Sequence, residues 1–178
     1  MREQSGKIVQ GAKAFFRWLW FGRGERAPWL RRIAAIVFAF TVPIPILLIF
    51  MFRFVPIPFT PQMALDFVTF NPVHHEWVSY SRIAPTLGRA VIAAEDQRFC
   101  LHNGFDWQSI DKAIQTHERH PHRRLRGAST ISQQAARSIF LVPARSWVRK
   151  GMEAYLTVLI EALWPKQRIL SSYLNLVD

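Results

Sequence analysis

A single cysteine, Cys100, excludes an internal disulfide, so nothing about the compartment follows from thiol usage and it has to be argued from topology. Acidic residues are scarce, 12 Asp and Glu against 23 Lys and Arg, which leaves a net charge of +11 and a pI near 11.0. Such a balance points to an anionic partner, which could be nucleic acid, anionic lipid or a phosphorylated substrate, without choosing among them. The chain also lacks internal repeats, low-complexity tracts and strand-like alternation, a weak stretch from Glu76 to Tyr80 excepted. Half of its residues are hydrophobic, which excludes a disordered chain, and 178 residues suffice for one domain plus an accessory segment.

Where the charge lies narrows the choice. Residues 1–32 carry Arg2, Lys7, Lys13, Arg17, Arg23, Arg26, Arg31 and Arg32 against Glu3 and Glu25, and the basic run stops where an uncharged one begins. Ile33 to Phe52 would rise roughly 30 Å as a helix, the thickness of a bilayer's hydrocarbon core. Pro43 and Pro45 kink such a helix but are tolerated where freed backbone groups find partners. A cleaved signal peptide fits less well, because the basic region is long and no small-residue cleavage site follows Arg53. The expected organisation is a basic cytoplasmic segment (1–32), a single transmembrane helix (33–52) and a domain on the far side (53–178).

Within that domain, the proline-rich residues 53–62 read as an extended connector, and residues 71–85 mix His74, His75, Glu76, Trp77 and Tyr80 without helical period. Pro85 opens a helix to Glu95, Trp107 to Thr116 reads as another, and a third begins near Ser129, capped by its hydroxyl, and runs to Leu141. Val148, Met152, Tyr155, Leu156, Leu159 and Leu163 recur at helical spacing, and Ile169, Leu170, Tyr173 and Leu174 resume after Pro165. The domain is therefore expected to be mainly helical.

Three constellations carry chemistry. Glu95 and Asp96 stand where a helix meets a loop holding Phe99, His102, Gly104 and Asp106, a position that can present a base at the mouth of a cleft. Gly127 to Gln134 supplies a helix start, with Thr130, Gln134 and Arg137 at i, i+4 and i+7 on one stripe; this is either a solvated face or a ligand-facing one. Arg149, Lys150 and Glu153 fall within about a turn, and the spacing fits both an ordinary surface pair and a phosphate clamp beside a carboxylate. His117, His120 and His122 have no fourth ligand in sight, so no metal site is expected. Cys100 reads as a small buried apolar side chain. Trp77, Trp107, Trp147 and Trp164 read as core and membrane-interface aromatics rather than base-stacking platforms, and no nucleic-acid partner is expected behind a bilayer anchor.

In order and separation these constellations resemble the motifs of the peptidoglycan glycosyltransferases, specifically the short monofunctional biosynthetic transglycosylases (glycosyltransferase family 51). The first motif is matched by Glu95-Asp96-Gln97-Arg98-Phe99 with His102, Gly104 and Asp106, and the second by Gly127 to Gln134 with Ala136-Arg137. The third is matched by Arg149-Lys150 with Glu153, and the start of a fourth by Ile169-Leu170 and Tyr173-Leu174-Asn175.

The resemblance covers residues 54–178 and implies a mainly α, lysozyme-like lobe behind one N-terminal transmembrane helix in the bacterial cytoplasmic (inner) membrane. Since the sequence given ends at Asp178, inside the fourth motif, a C-terminally shortened lobe is expected. It further implies lipid II and the growing lipid-linked strand as substrates, Glu95 as catalytic base and Glu153 as the second essential glutamate. Ser129, Thr130, Gln134, Arg137, Arg149 and Lys150 would bind substrate, while Asp96, Phe99, His102, Gly104 and Asp106 support the loop. No cofactor is implied, Mg²⁺ at the substrate pyrophosphate is compatible with it, and other cell-wall synthesis or division proteins are expected companions.

The family has Lys-Asn where this chain has Arg137-Ser138, which keeps the charge but substitutes a planar fork for a point ammonium. A lysozyme-like lytic enzyme and an inactive scaffold in cell-wall assembly are the competing readings; Arg137 and Arg149 argue against the first, since a neutral glycan needs no pyrophosphate clamp.

Overall fold

The structure, a computed structural model, describes residues 28–71, 75–120, 128–144 and 146–176. Residues 1–27 of the expected basic segment, together with His74, His122 and Gly127, lie outside the described residues. Two compact units divide the chain, one ending at Leu47 and the other beginning at Leu48.

The first unit contains α1 (Pro28–Thr41) and the start of α2 (Pro43–Phe52). Proline has no N–H, so Pro43 and Pro45 leave the carbonyls of Ala39 and Thr41 without their helical donors, and the helix assignment breaks at Val42. Bonds on either side keep the backbone coiled: Val42 N donates to Phe38 O at 2.9 Å and Ile46 N to Val42 O at 3.3 Å. Trp29–Phe52 is one helix long and apolar enough to cross a membrane, 24 residues that rise roughly 36 Å. It begins four residues before the expected Ile33.

The second unit is helical among its described residues: α3 (Pro61–Val68), a 3₁₀ turn (Tyr80–Arg82), α4 (Pro85–Glu95), α5 (Trp107–Arg119), α6 (Ile131–Phe140), α7 (Trp147–Leu163) and α8 (Lys166–Leu176). The weak strand expected at Glu76 to Tyr80 does not form; residues 76–79 are irregular and have no ladder partner among the described residues. At their far end the side-chain amide of Asn175 takes the place of a strand, accepting from Val78 N at 2.7 Å and donating to Val78 O at 3.0 Å.

Helix α6 is the hub, packed against α7, α8 and α3. Alternate small and branched side chains allow this: Ile131, Ala135, Ala136 and Ile139 are buried against Leu156 and Ile160 of α7 and Ile169 and Leu170 of α8. Its cap is Thr130 rather than the expected Ser129, which is exposed. Thr130 Oγ1 accepts from Gln133 N at 3.2 Å while Gln133 Oε1 accepts from Thr130 N at 3.1 Å, a reciprocal capping box. Replacing Thr130 by alanine is expected to cost about 1–2 kcal/mol, seen as a lower midpoint in thermal unfolding, with Thr130→Ser recovering most of it.

The buried stripe of α7 is Glu153, Leu156, Thr157 and Ile160, which shares only Leu156 with the expected one. Val148 is exposed, and Met152, Tyr155, Leu159 and Leu163 are half-buried flanks. Sequence spacing fixed the helix but favoured the apolar residues over a stripe that includes a carboxylate and a hydroxyl. Thr157 reconciles its hydroxyl with burial by donating to Glu153 O at 2.7 Å.

The end of α2 is fastened to the junction of α7 and α8. Trp164 Nε1 donates to Ile49 O at 2.6 Å, and Arg168 donates through Nε to Phe52 O at 2.8 Å and through Nη2 to Val55 O. Phe52 O is one of the carbonyls that a helix terminus leaves without an intrahelical donor, whereas Ile49 O also accepts from Arg53 N at 3.1 Å. The Arg168 guanidinium also lies over the rings of Trp77 and Trp164, 4.8 and 5.6 Å from their centroids.

Candidate active site

Glu95 closes α4 as its last residue, and the chain turns away at Asp96, whose N–H still bonds Ile92 O at 3.0 Å. Neighbouring carboxylates consequently face opposite environments. Glu95 is exposed, whereas Asp96 is buried and accepts from two donors: Ile131 N at 3.1 Å and His102 Nε2 at 2.9 and 3.0 Å to its two oxygens. The Ile131 bond places the carboxylate on the N-terminus of α6, where free amides and the helix dipole favour negative charge. His102 Nδ1 accepts from Gly104 N at 3.2 Å, which assigns the ring proton to Nε2 and makes it the donor to Asp96.

Gly104 has φ +91°, a region that side chains rarely adopt, and a Cβ there would meet Thr157 Cγ2 at 2.7 Å. Its carbonyl accepts from Thr130 Oγ1 at 2.6 Å, so the loop is tied to the cap of α6. Phe99 is fully buried beneath the same loop, and its neighbour Cys100 is exposed, which corrects the expectation of a buried thiol. The turn after Asp96 sends Phe99 into the core and leaves Cys100 on the outside.

Asp106 caps α5, accepting from Ser109 N at 3.1 Å and Ser109 Oγ at 2.7 Å, with Arg98 Nε 3.4 Å away. Burial pushes its carboxyl upward, but the hydrogen bonds from Ser109 and the charge of Arg98 outweigh it, and the pKa falls below the ordinary 3.8. A depressed carboxylate stabilises the fold above its unfolded pKa and loses that contribution as pH falls through the lower folded value. Acid unfolding followed below pH 3.8 should therefore be shallower in Asp106→Asn than in the wild type.

Above the loop, Gln134 Nε2 donates to Glu95 Oε2 at 3.1 Å. Tyr173 OH donates to Gln134 Oε1 at 3.5 Å, a long bond that nonetheless orients the amide with its nitrogen toward Glu95. Burial raises the Tyr173 pKa and the Glu95 charge raises it further, against the opposing pull of Arg137, so the phenol stays protonated as a donor. Arg137 is exposed in the last turn of α6. Of the expected stripe, Gln134 faces Glu95, whereas Thr130 is 2% exposed with its hydroxyl engaged at both Gln133 N and Gly104 O.

Glu153 is 3% exposed and held by two cations, Arg149 Nη1 at 2.8 Å and Lys150 Nζ. The pair is thus not the ordinary surface contact that its spacing allows. One buried carboxylate against two cations leaves a net positive charge at the start of α7, and the buried Arg149 Nε has no hydrogen-bond partner. Both features suit an anion. Of the tryptophans weighed as stacking platforms, Trp164 is buried, Trp77 is half-buried, and Trp107 and Trp147 are exposed. The described residues contain no group of three or more His, Cys, Asp or Glu that could hold a metal ion, and His122 lies outside them.

Tyr173, Glu161 and Lys166 were not singled out as site residues by sequence reasoning. Tyr173 carried a signal, its place in the fourth motif; Glu161 and Lys166, on either side of Pro165, carried none.

A family model described as "Transglycosylase" matches residues 63–178. The chain belongs to the transglycosylase family. Its curated relatives named biosynthetic peptidoglycan transglycosylase include one from Bdellovibrio bacteriovorus, 49% identical over 132 residues that make up 71% of this chain and 52% of the relative. One from Caulobacter vibrioides is 44% identical over 149 residues, 84% of this chain and 64% of the relative. One from Shigella boydii is 57% identical over 105 residues, 59% of this chain and 43% of the relative. The chain spans about half the length of the curated relatives it matches. Membership identifies the mainly helical second unit with the lysozyme-like lobe of transglycosylases.

Proposed function

We propose that this transglycosylase-family chain polymerises glycan strands from lipid II, with Glu95 as general base. The observation that carries the reading is the contrast between the two ends of the motif set: an exposed carboxylate oriented by an amide at 3.1 Å, and a buried carboxylate compensated by two cations. The first suits proton removal from a sugar hydroxyl, and the second suits the build-up of charge on a departing pyrophosphate.

In the proposed step Glu95 takes the proton of the acceptor's 4-hydroxyl as that oxygen attacks the anomeric carbon of the lipid-linked strand. The bond from that carbon to the pyrophosphate oxygen breaks with inversion, and the lipid pyrophosphate leaves with the electron pair. Arg149 and Lys150, with Arg137 nearer the acceptor, take up its charge, and Glu153 holds the first two in place. Ser129, exposed before the cap of α6, and Gln134 contact sugar; Thr130, Asp96, Phe99, His102, Gly104 and Asp106 hold the surrounding backbone.

Mg²⁺ enters the proposal only as a companion of the substrate's pyrophosphate, since Glu153 is already engaged by its cations. The helix Trp29–Phe52 would anchor the chain in the cytoplasmic membrane with its N-terminus inside, as the basic residues 1–32 favour, and the lobe outside, where cell-wall synthesis or division proteins could meet it.

The test is to supply the detergent-solubilised full chain with labelled lipid II and, separately, with finished cell wall. The expected result is a ladder of glycan polymer from the first and no soluble sugar from the second. Fragments released from finished wall would favour a lytic enzyme, and neither product from a folded chain would favour a scaffold.

A further inference from the structure

The mechanism above makes no use of one charged pair that lies inside the lobe. Glu161, in the last turn of α7, has a side chain 7% exposed, and Lys166 begins α8 across Pro165. Lys166 Nζ donates to Glu161 Oε1 at 2.7 Å and to His102 O at 2.7 Å, and it lies 4.5 Å from the centroid of the Phe99 ring. Glu161 Oε1 also accepts from Ser132 Oγ on α6, and its Cγ would stand 3.1 Å from a Cβ at Gly104. One ion pair thus touches α6, α7, α8 and both Phe99 and His102 of the loop that follows Glu95.

An ion pair taken out of water repays its desolvation only when its remaining donors and acceptors are satisfied. Here the spare hydrogens of the ammonium go to the loop, at the carbonyl of His102 and the face of Phe99. His102 in turn donates to Asp96, which caps α6 through Ile131 N and adjoins Glu95 in the chain. Gln134, which orients Glu95, is one turn further along α6. The carboxylate and the amide that orients it therefore depend on the same loop and helix start that this pair fastens.

We propose that Glu161 and Lys166 are positioning residues: an internal staple that fixes the loop of Phe99 and His102 against α6 and so holds Glu95 at the distance and angle that catalysis needs. The proposal rests on the reading of Glu95 as the base. Substrate binding by Arg149 and Lys150, at the other end of α7, does not involve the staple, so its loss acts on turnover rather than affinity.

The test uses the full chain in detergent with lipid II, comparing Lys166→Met and Lys166→Arg with Trp164→Phe, which removes the bond to Ile49 O and leaves the staple intact. Hydrogen exchange over residues 96–106 is read on the same samples. Lys166→Met is expected to lower kcat by about 10–100-fold with KM within about twofold, the scale at which a misplacement of about 1 Å acts. Exchange over 96–106 should rise, and Lys166→Arg should recover most of both. Trp164→Phe should lower the unfolding temperature while keeping wild-type kcat and wild-type loop exchange.

Wild-type kcat with wild-type loop exchange in Lys166→Met would overturn the proposal. So would a fall in kcat in Trp164→Phe equal to that in Lys166→Met at the same loss of unfolding temperature. Should Lys166→Met fail to fold, Glu161→Gln keeps the shape and an acceptor oxygen, and the same pattern of kcat and exchange supports or overturns the staple. A wild type that makes no polymer refutes the proposed function, and loop exchange alone then decides whether the staple exists.

Discussion

Glu95→Gln is expected to lower the rate of lipid II polymerisation by about two to four orders of magnitude, the usual contribution of a general base. The change keeps the side chain's length and an oxygen that can accept from Gln134, so it removes proton affinity without removing the hydrogen bond at 3.1 Å. Because Glu95 is exposed at the end of α4, no desolvated charge is lost. Surface substitutions of that kind change stability by less than about 0.5 kcal/mol. Steady-state rates set beside thermal unfolding of the same preparations check both halves: activity should collapse while the unfolding midpoint stays. A midpoint that falls with the rate would mean that Glu95 acts through the fold.

The opposite profile is expected for Gly104→Ala. A methyl group at φ +91° would lie 2.7 Å from Thr157 Cγ2 and 3.1 Å from Glu161 Cγ, and neither neighbour is free to retreat. Thr157 is fully buried with its hydroxyl bonded to Glu153 O, and Glu161 is held by Lys166 and Ser132. Backbone strain of about 1–2 kcal/mol and overpacking of about 1–3 kcal/mol then act together. Their sum corresponds to a midpoint lower by roughly 5–15 °C for a chain of this size. Differential scanning of the purified variant measures it directly; an unchanged midpoint would show that the loop can move aside. Activity should fall as well, because Gly104 O is the acceptor for the Thr130 hydroxyl that caps α6.

These two residues also show how far the sequence could be read. Glu95 at a helix end and Gly104 in the loop behind it were both visible, since Pro85 opens the helix and the small apolar run up to Ala94 carries it to the carboxylate. Helix positions from α4 onward followed from spacing and proline punctuation, and α7 and α8 do part at Pro165, whereas α3 (Pro61–Val68) went unread and takes the last two residues of the expected connector.

Legibility ended where a polar side chain works against another distant in sequence. Ser129 and Thr130 are equivalent caps by residue type, and what separates them is the capping box of Thr130 with Gln133 together with the contact to Gly104 O, across 26 positions. The buried stripe of α7 went unread because Glu153 and Thr157 lie in it: periodicity counts apolar residues, and a carboxylate becomes compatible with burial only through Arg149 and Lys150. Cys100 was misplaced for a related reason, as a loop has no period from which to infer which side chain turns inward. The staple of Glu161 and Lys166 left no trace at all, since its partners, the Ser132 hydroxyl that donates to Glu161 and the His102 carbonyl that accepts from Lys166, belong to other elements.

The most direct measurement counts undecaprenyl pyrophosphate released per glycosidic bond formed when the full chain acts on lipid II, in the wild type and in Glu95→Gln. A glycosyltransferase with Glu95 as its base releases one pyrophosphate lipid for each new bond, and the variant gives neither in the same interval. Release without bond formation, or equal polymer from both proteins, would contradict it.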